Sequence, residues 1–194
     1  MASQVEEEGY SLAPDDQEYF KECVAIIDEH QIDIDEEQVL ELLQITMRWP
    51  EESLQTLNHC GMVSNDYFTN SGFLNYEKWK RLYDYGFPSQ LHNVLDLTPQ
   101  LRSLNDKLYE VKGSHTCANF YMSKGSKTRR ASFNPHHHDY HVIVKPIYGK
   151  CNWLIGEDMR EIVPGHILIL PAYTPHAVLQ SEEPRLSLTL NVSS

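Results

Sequence analysis

Positive charge is scarce in this chain. Lysine and arginine number 16 against 28 aspartates and glutamates, a formal net charge of −12. Nucleic acids and anionic membrane surfaces are recognised through clustered positive charge, so neither is expected as a partner. Long apolar runs are lacking too, and no stretch approaches the roughly 18 residues that a membrane span needs. Closely spaced cysteines are missing: Cys23, Cys60, Cys117 and Cys151 form no Cys-x-x-Cys pair. That argues against a thiolate metal knuckle and a disulfide scaffold, and reduced thiols are expected. The first stretch, Met1 to Tyr10, is acidic and has neither a basic n-region nor an apolar h-region. No secretory signal is read there, so the cytoplasm or another reducing intracellular compartment is expected.

What is present reads as an ordinary globular chain. It has 194 residues, 41% of them hydrophobic and 23% charged, which suits one domain with a core that needs no staples. The unusual feature is the ten histidines. His136, His137, His138 and His141 fall in one short stretch, and His166 and His176 in another.

Patterning divides the chain. Residues 1–14 are acidic, end in Ala13-Pro14 and read as a flexible tail. Residues 15–113 read as a helical portion. Helical spacing marks Asp15 to about His30, through Tyr19, Phe20, Cys23, Ile26 and Ile27. Asp35, followed by Glu36 and Glu37, opens a second helix, its acids suiting the helix dipole. Pro50 to Leu57 is expected as a third helix closed near Gly61, and Tyr76 to Tyr83 as a fourth. The fifth is best marked, with Thr98 as N-cap, Pro99 at the first position, an apolar series Leu101, Leu104, Leu108 and Val111, and Gly113 at the end. From residue 114 to 194 the pattern changes to short alternating runs: Thr116–Ser123, His138–Pro146, Lys150–Gly156, His166–Leu170 and Pro184–Val192. The last alternates most clearly, with Leu186, Leu188 and Leu190 on one face and Ser187, Thr189 and Asn191 on the other. A compact antiparallel β unit is expected.

The histidines fall within this β unit. On a strand, alternate side chains share a face, so His136 and His138 point together, as do His137 and Asp139. Two such ligands hold one ion if a third arrives from another strand. His176 is the candidate third, presented after the run His166–Leu170 stops at Pro171 and turns. Three protein ligands leave positions open, as a catalytic metal site requires. A histidine run can also be a solvated loop, and that reading stands beside the metal one.

From about Cys117 onward the chain resembles a cupin, and among cupins the JmjC-type, cupin-like 2-oxoglutarate oxygenases. Pro135-His136-x-His138, the apolar Val142-Ile143-Val144, the Gly149-Lys150 turn and Trp153 follow that family's first motif. Gly165 through Pro171 to His176 follows its second, and Asn119-Phe120-Tyr121 resembles its leading strand. The resemblance implies a double-stranded β-helix, mostly β with α, preceded by the helical portion packing on the barrel. The family's metal carboxylate falls on His138, so two ligand sets stay open: His136, His138 and His176, or His137, Asp139 and His176. The glutamate of the broader cupin motif is absent, with Val142 near its place.

The resemblance implies Fe(II), with Mn, Ni or Zn as other metals that imidazole suits, and 2-oxoglutarate as cosubstrate. It implies a cation or hydroxyl for the cosubstrate's distal carboxylate. The residues it points to are Lys150 and Lys145, with Thr189 and Asn191 on the last strand and Asn119 and Tyr121 on an earlier one. Lys127-Thr128-Arg129-Arg130 is read either as a solvated basic loop or as a contact for an anionic substrate. Three functions stay open. One is hydroxylation or demethylation of a small molecule, peptide or protein side chain with 2-oxoglutarate. Another is a three-histidine metallocupin acting without it, as a dioxygenase, isomerase or lyase. The third is a non-catalytic binding protein. A homodimer through sheet edges or helices is also expected.

Overall fold

The computed structural model describes residues 4–6, 17–45, 53–58, 61–111, 115–126 and 134–193. The first half runs β1 (Gln4–Glu6), α1 (Gln17–Glu29), α2 (Glu36–Ile45), β2 (Leu54–Asn58), β3 (Gly61–Met62), β4 (Thr69–Asn70), β5 (Phe73–Leu74), α3 (Tyr76–Asp84), β6 (Ser89–Leu91) and α4 (Pro99–Tyr109). Then come β7 (His115–Ser123), β8 (His141–Tyr148), β9 (Cys151–Ile155), β10 (Asp158–Ile162), β11 (His166–Leu170), β12 (His176–Gln180) and β13 (Arg185–Ser193).

The helix boundaries follow from their caps. Asp35 accepts from the Gln38 amide while Gln38 accepts from the Asp35 amide, both at 2.9 Å, a reciprocal box that starts α2. Thr98 accepts from the Leu101 amide at 3.2 Å with Pro99 in the first turn of α4. Gly113, read as that helix's stop, and the 127–130 basic loop lie outside the described residues.

An eight-stranded sheet has the order β1-β11-β8-β13-β7-β6-β2-β3, and a three-stranded sheet the order β10-β9-β12. All pairs are antiparallel except β1 with β11. Period-two alternation sorts the large sheet's side chains into two cores. Ile143, Ile167, Ile169, Ala118, Phe120, Met122, Leu186, Leu188, Leu190 and Val192 join the helices in one. Val142, Val144, Leu168 and Leu170 face the small sheet's Trp153, Ile155 and Val178 in the other, inside the barrel. The Leu face of β13 thus packs under the helices, leaving its polar face for the barrel interior.

Gly149 closes the turn between β8 and β9 at φ +70°, and a side chain there would run into the Pro184 carbonyl and lie 2.8 Å from Arg185 Cα. Across the helix–barrel junction, Glu36 accepts from Tyr83 Oη at 2.9 Å and pairs with Lys124 at 3.0 Å.

Three expectations need correction. The third helix does not form over the described part of Pro50–Leu57: Leu54–Asn58 is β2, paired with β6. A buried Thr56–Ser89 hydroxyl contact at 2.9 Å ties the two strands, so long-range pairing overrides local preference. Within the stretch read as a flexible tail, Gln4–Glu6 pairs with His166–Leu168. The strand expected from His138 begins at His141, which leaves His136 and His138 ahead of it.

Candidate metal centre

His136 and His176 meet through their backbones before their rings do. The His136 amide donates to the His176 carbonyl at 3.0 Å and the His176 amide returns to the His136 carbonyl at 2.8 Å, an isolated bridge that closes this end of the barrel. His138 joins them from the segment between that bridge and β8. Ring centroids lie 4.8 Å apart for His136 and His138, 4.6 Å for His136 and His176, and 5.2 Å for His138 and His176. One nitrogen from each ring lies within 4.8 Å of the other two.

The donor set fits a metal ion. His136 Nδ1 donates to the Asn134 carbonyl at 2.7 Å, and His176 Nδ1 to the Thr174 carbonyl at 2.9 Å. Each bond fixes a tautomer and leaves Nε2 as the ligand atom. Imidazole nitrogens about 2.1 Å from one ion stand roughly 3 Å from each other, closer than the 4.8 Å within which these nitrogens lie, so the rings must draw together to share an ion. Burial holds His176 down to about 4, and the neighbouring imidazoles add to this against the Thr174 carbonyl. Burial, then His136, also lowers His138, opposed by Asp139. Both rings are therefore neutral near pH 7, the state that binds metals.

The loop that delivers His176 is bent. β11 ends before Pro171, Thr174 donates to the Pro171 carbonyl at 3.2 Å, and Tyr173 between them takes φ +65°. The Tyr173 amide donates to the His138 carbonyl at 2.6 Å, tying the two ligand loops together. Tyr140 stacks on His138 at 4.7 Å and Trp153 on His176 at 6.1 Å.

The cluster opens into a cavity. Its walls are Tyr121, Val142, Trp153 and Val178 with the hydroxyls and amide of Ser187, Thr189 and Asn191. Of the cosubstrate residues read from the sequence, Tyr121, Thr189 and Asn191 line this cavity and three do not. Asn119 is buried elsewhere, accepting from the Asn93 amide at 3.2 Å. Lys145 points to the helices, donating to the carbonyls of Ile27 at 2.6 Å, Asp28 at 3.1 Å and His30 at 2.7 Å. Lys150 is exposed and pairs with Glu161 at 3.2 Å. His137 and Asp139 are exposed and stand outside the three-histidine group.

Sequence reading passed over Ser187, Arg185 and His141. Ser187 shares parity with Thr189 and Asn191, a signal already in the alternation of β13. Arg185 continues that parity and is 2% exposed. Burial and then Tyr140 push the Tyr121 phenol upward, and the Arg185 charge opposes them.

Residues 125–190 match the family described as the AraC-like ligand binding domain. A search of curated proteins finds no match. Among solved structures, YcfD, a ribosomal oxygenase from Escherichia coli in complex with cobalt and succinic acid, superposes with a TM-score of 0.60 at 16% identity. The match covers 86% of this chain and 46% of that one. A second structure of the Escherichia coli oxygenase gives 0.60 at 15% identity with the same coverages. This chain therefore spans about half the length of that oxygenase. The fold is a cupin-type barrel with a helical cover, as the motifs around His136 and His176 implied.

Proposed function

We propose that the protein is a metal-dependent oxygenase that holds Fe(II) on His136, His138 and His176 and uses 2-oxoglutarate to hydroxylate a small-molecule, peptide or protein side-chain substrate. The observation that carries this reading is three imidazoles gathered at the side of a partly polar cavity. Bound there, Fe(II) supplies the oxygen chemistry that couples oxidative decarboxylation of a 2-oxo acid to substrate oxidation. The rest falls to the chain's own groups. Ser187, Thr189, Asn191 and Tyr121 offer hydrogen bonds to a carboxylate in the cavity. Arg185, two residues before Ser187 on the same face of β13, supplies the opposite charge in place of Lys145 and Lys150. Trp153, Val142 and Val178 form the apolar wall that keeps water from the reacting atoms. The fold likeness to an oxygenase solved with cobalt and succinic acid supports the same reading. The acidic balance argues against nucleic acid as substrate, and no described helix is long and apolar enough to cross a membrane. We place the protein in the cytoplasm or another reducing compartment, acting as a homodimer.

Anaerobic Fe(II) titration with and without 2-oxoglutarate tests this directly. A visible charge-transfer band with the 2-oxo acid, followed by succinate on admission of air, supports it. Metal uptake without the band favours a three-histidine dioxygenase, isomerase or lyase acting without 2-oxoglutarate. Among the described residues no carboxylate joins the histidine group, which speaks for that second reading. A folded chain that takes up no metal would be a binding protein.

A further inference from the structure

Each residue of the turn 172–174 makes a bond to a histidine, two of them to the metal cluster. Thr174 offers its carbonyl to the ring of His176 at 2.9 Å, and Tyr173 gives its amide to the backbone of His138 at 2.6 Å. Ala172 gives its amide to Nδ1 of His141 at 3.0 Å. That third bond ties the turn to a side chain outside the ligand group. His141 opens β8 and is itself held, 9% exposed, with Phe20 of α1 packed at 5.0 Å between ring centroids. Tyr173 stands at φ +65°, a conformation that a bulky residue keeps only when its surroundings impose it.

We propose that His141 is a positioning residue: its Nδ1 latches the 171–174 turn, and through Tyr173 and Thr174 that latch sets the spacing of His138 and His176. The inference rests on the metal reading above. The same ring joins the helical cover to the metal loop, because α1 fixes the imidazole through Phe20. An aliphatic or phenyl ring at position 141 offers the Ala172 amide no acceptor, and the turn is then free to relax from its left-handed form.

The experiment uses the full chain, Co(II) as probe, and two variants. His141→Phe keeps a ring against Phe20 and removes the acceptor, while His141→Asn restores an acceptor through Oδ1. In His141→Phe, Co(II) affinity is expected to fall roughly 10- to 100-fold with an altered ligand-field spectrum, as for other groups that orient metal ligands. His141→Asn recovers most of both. Amide exchange in the metal-free proteins supplies a second readout, with Ala172 and Tyr173 exchanging faster in His141→Phe than in the wild type or His141→Asn. A folded His141→Phe variant that binds Co(II) like the wild type overturns the proposal, and so does unchanged exchange at Ala172. If the wild type takes up no Co(II), the metal reading fails by itself, and exchange at Ala172 and Tyr173 alone then decides whether the latch exists.

Discussion

His176 carries two functions on one ring: its Nδ1 is committed to Thr174 and its Nε2 is left to a metal. Replacing it with alanine should abolish metal uptake, whereas His166→Ala, on β11 and outside the cluster, should leave uptake intact. Equal losses in calorimetric titration would count against the assignment. The same ring makes the metal-free protein sensitive to acid. An imidazole in the unfolded chain titrates near 6.5, and in the fold it is held to about 4. Between these values the unfolded state binds a proton that the folded state refuses. Stability should therefore drop as the pH falls from about 6.5 to about 4, by up to roughly 3 kcal/mol. Urea denaturation of the metal-free wild type and of His176→Gln across that range checks this, because the variant should show a shallower decline. Gly149 is the other position fixed by a single atom. Gly149→Ala adds a carbon against the Pro184 carbonyl and Arg185 in a left-handed turn, with an expected loss of about 2–4 kcal/mol in the same assay. The histidine trio itself was legible, because an x-separated pair followed by a histidine beyond a proline turn is a local pattern. The choice between His138 and Asp139 was not, since it depends on the segment ahead of β8 leaving strand geometry.

Elements whose ends are marked by short-range chemistry could be read in advance. α2 and α4 start where Asp35 and Thr98 cap them. β2 could not be read this way, because its partner β6 lies over thirty residues downstream and the Thr56–Ser89 contact is invisible locally. Lys145 shows how a reading at this scale goes astray. Its parity matches Ile143, which faces the helices, and opposes Val142 and Val144, which face the barrel interior. Its ammonium therefore closes the end of α1, where the last carbonyls have no partner within the helix. Lys145→Met strands those carbonyls and should cost about 1–3 kcal/mol, seen as a melting temperature lower by several degrees.

At the scale of the molecule, the large sheet is covered on both faces, and the two halves of the chain complete one another. Strands β2, β3 and β6 come from the portion read as helical and extend the sheet past β7. The segment 114–194 made alone would expose Phe120, Met122, Ile143, Leu186, Leu188 and Leu190, each worth about 1.5–3 kcal/mol when buried. It should bind a hydrophobic dye and melt without a sharp transition, while the full chain melts cooperatively. The distribution of charge offered no guide to this arrangement, since an acidic balance speaks to partners and solubility rather than to topology. The two-sided strand β13 also constrains what evolution can do with this barrel. Point substitutions at Ser187, Thr189 or Asn191 can retune the chamber while the greasy underside goes on gripping the helices. Inserting one residue would turn the strand over, sending leucines into the chamber and hydroxyls beneath the helices. New specificities can therefore arise here by exchanging side chains, and an insertion is tolerated only in the connecting turns.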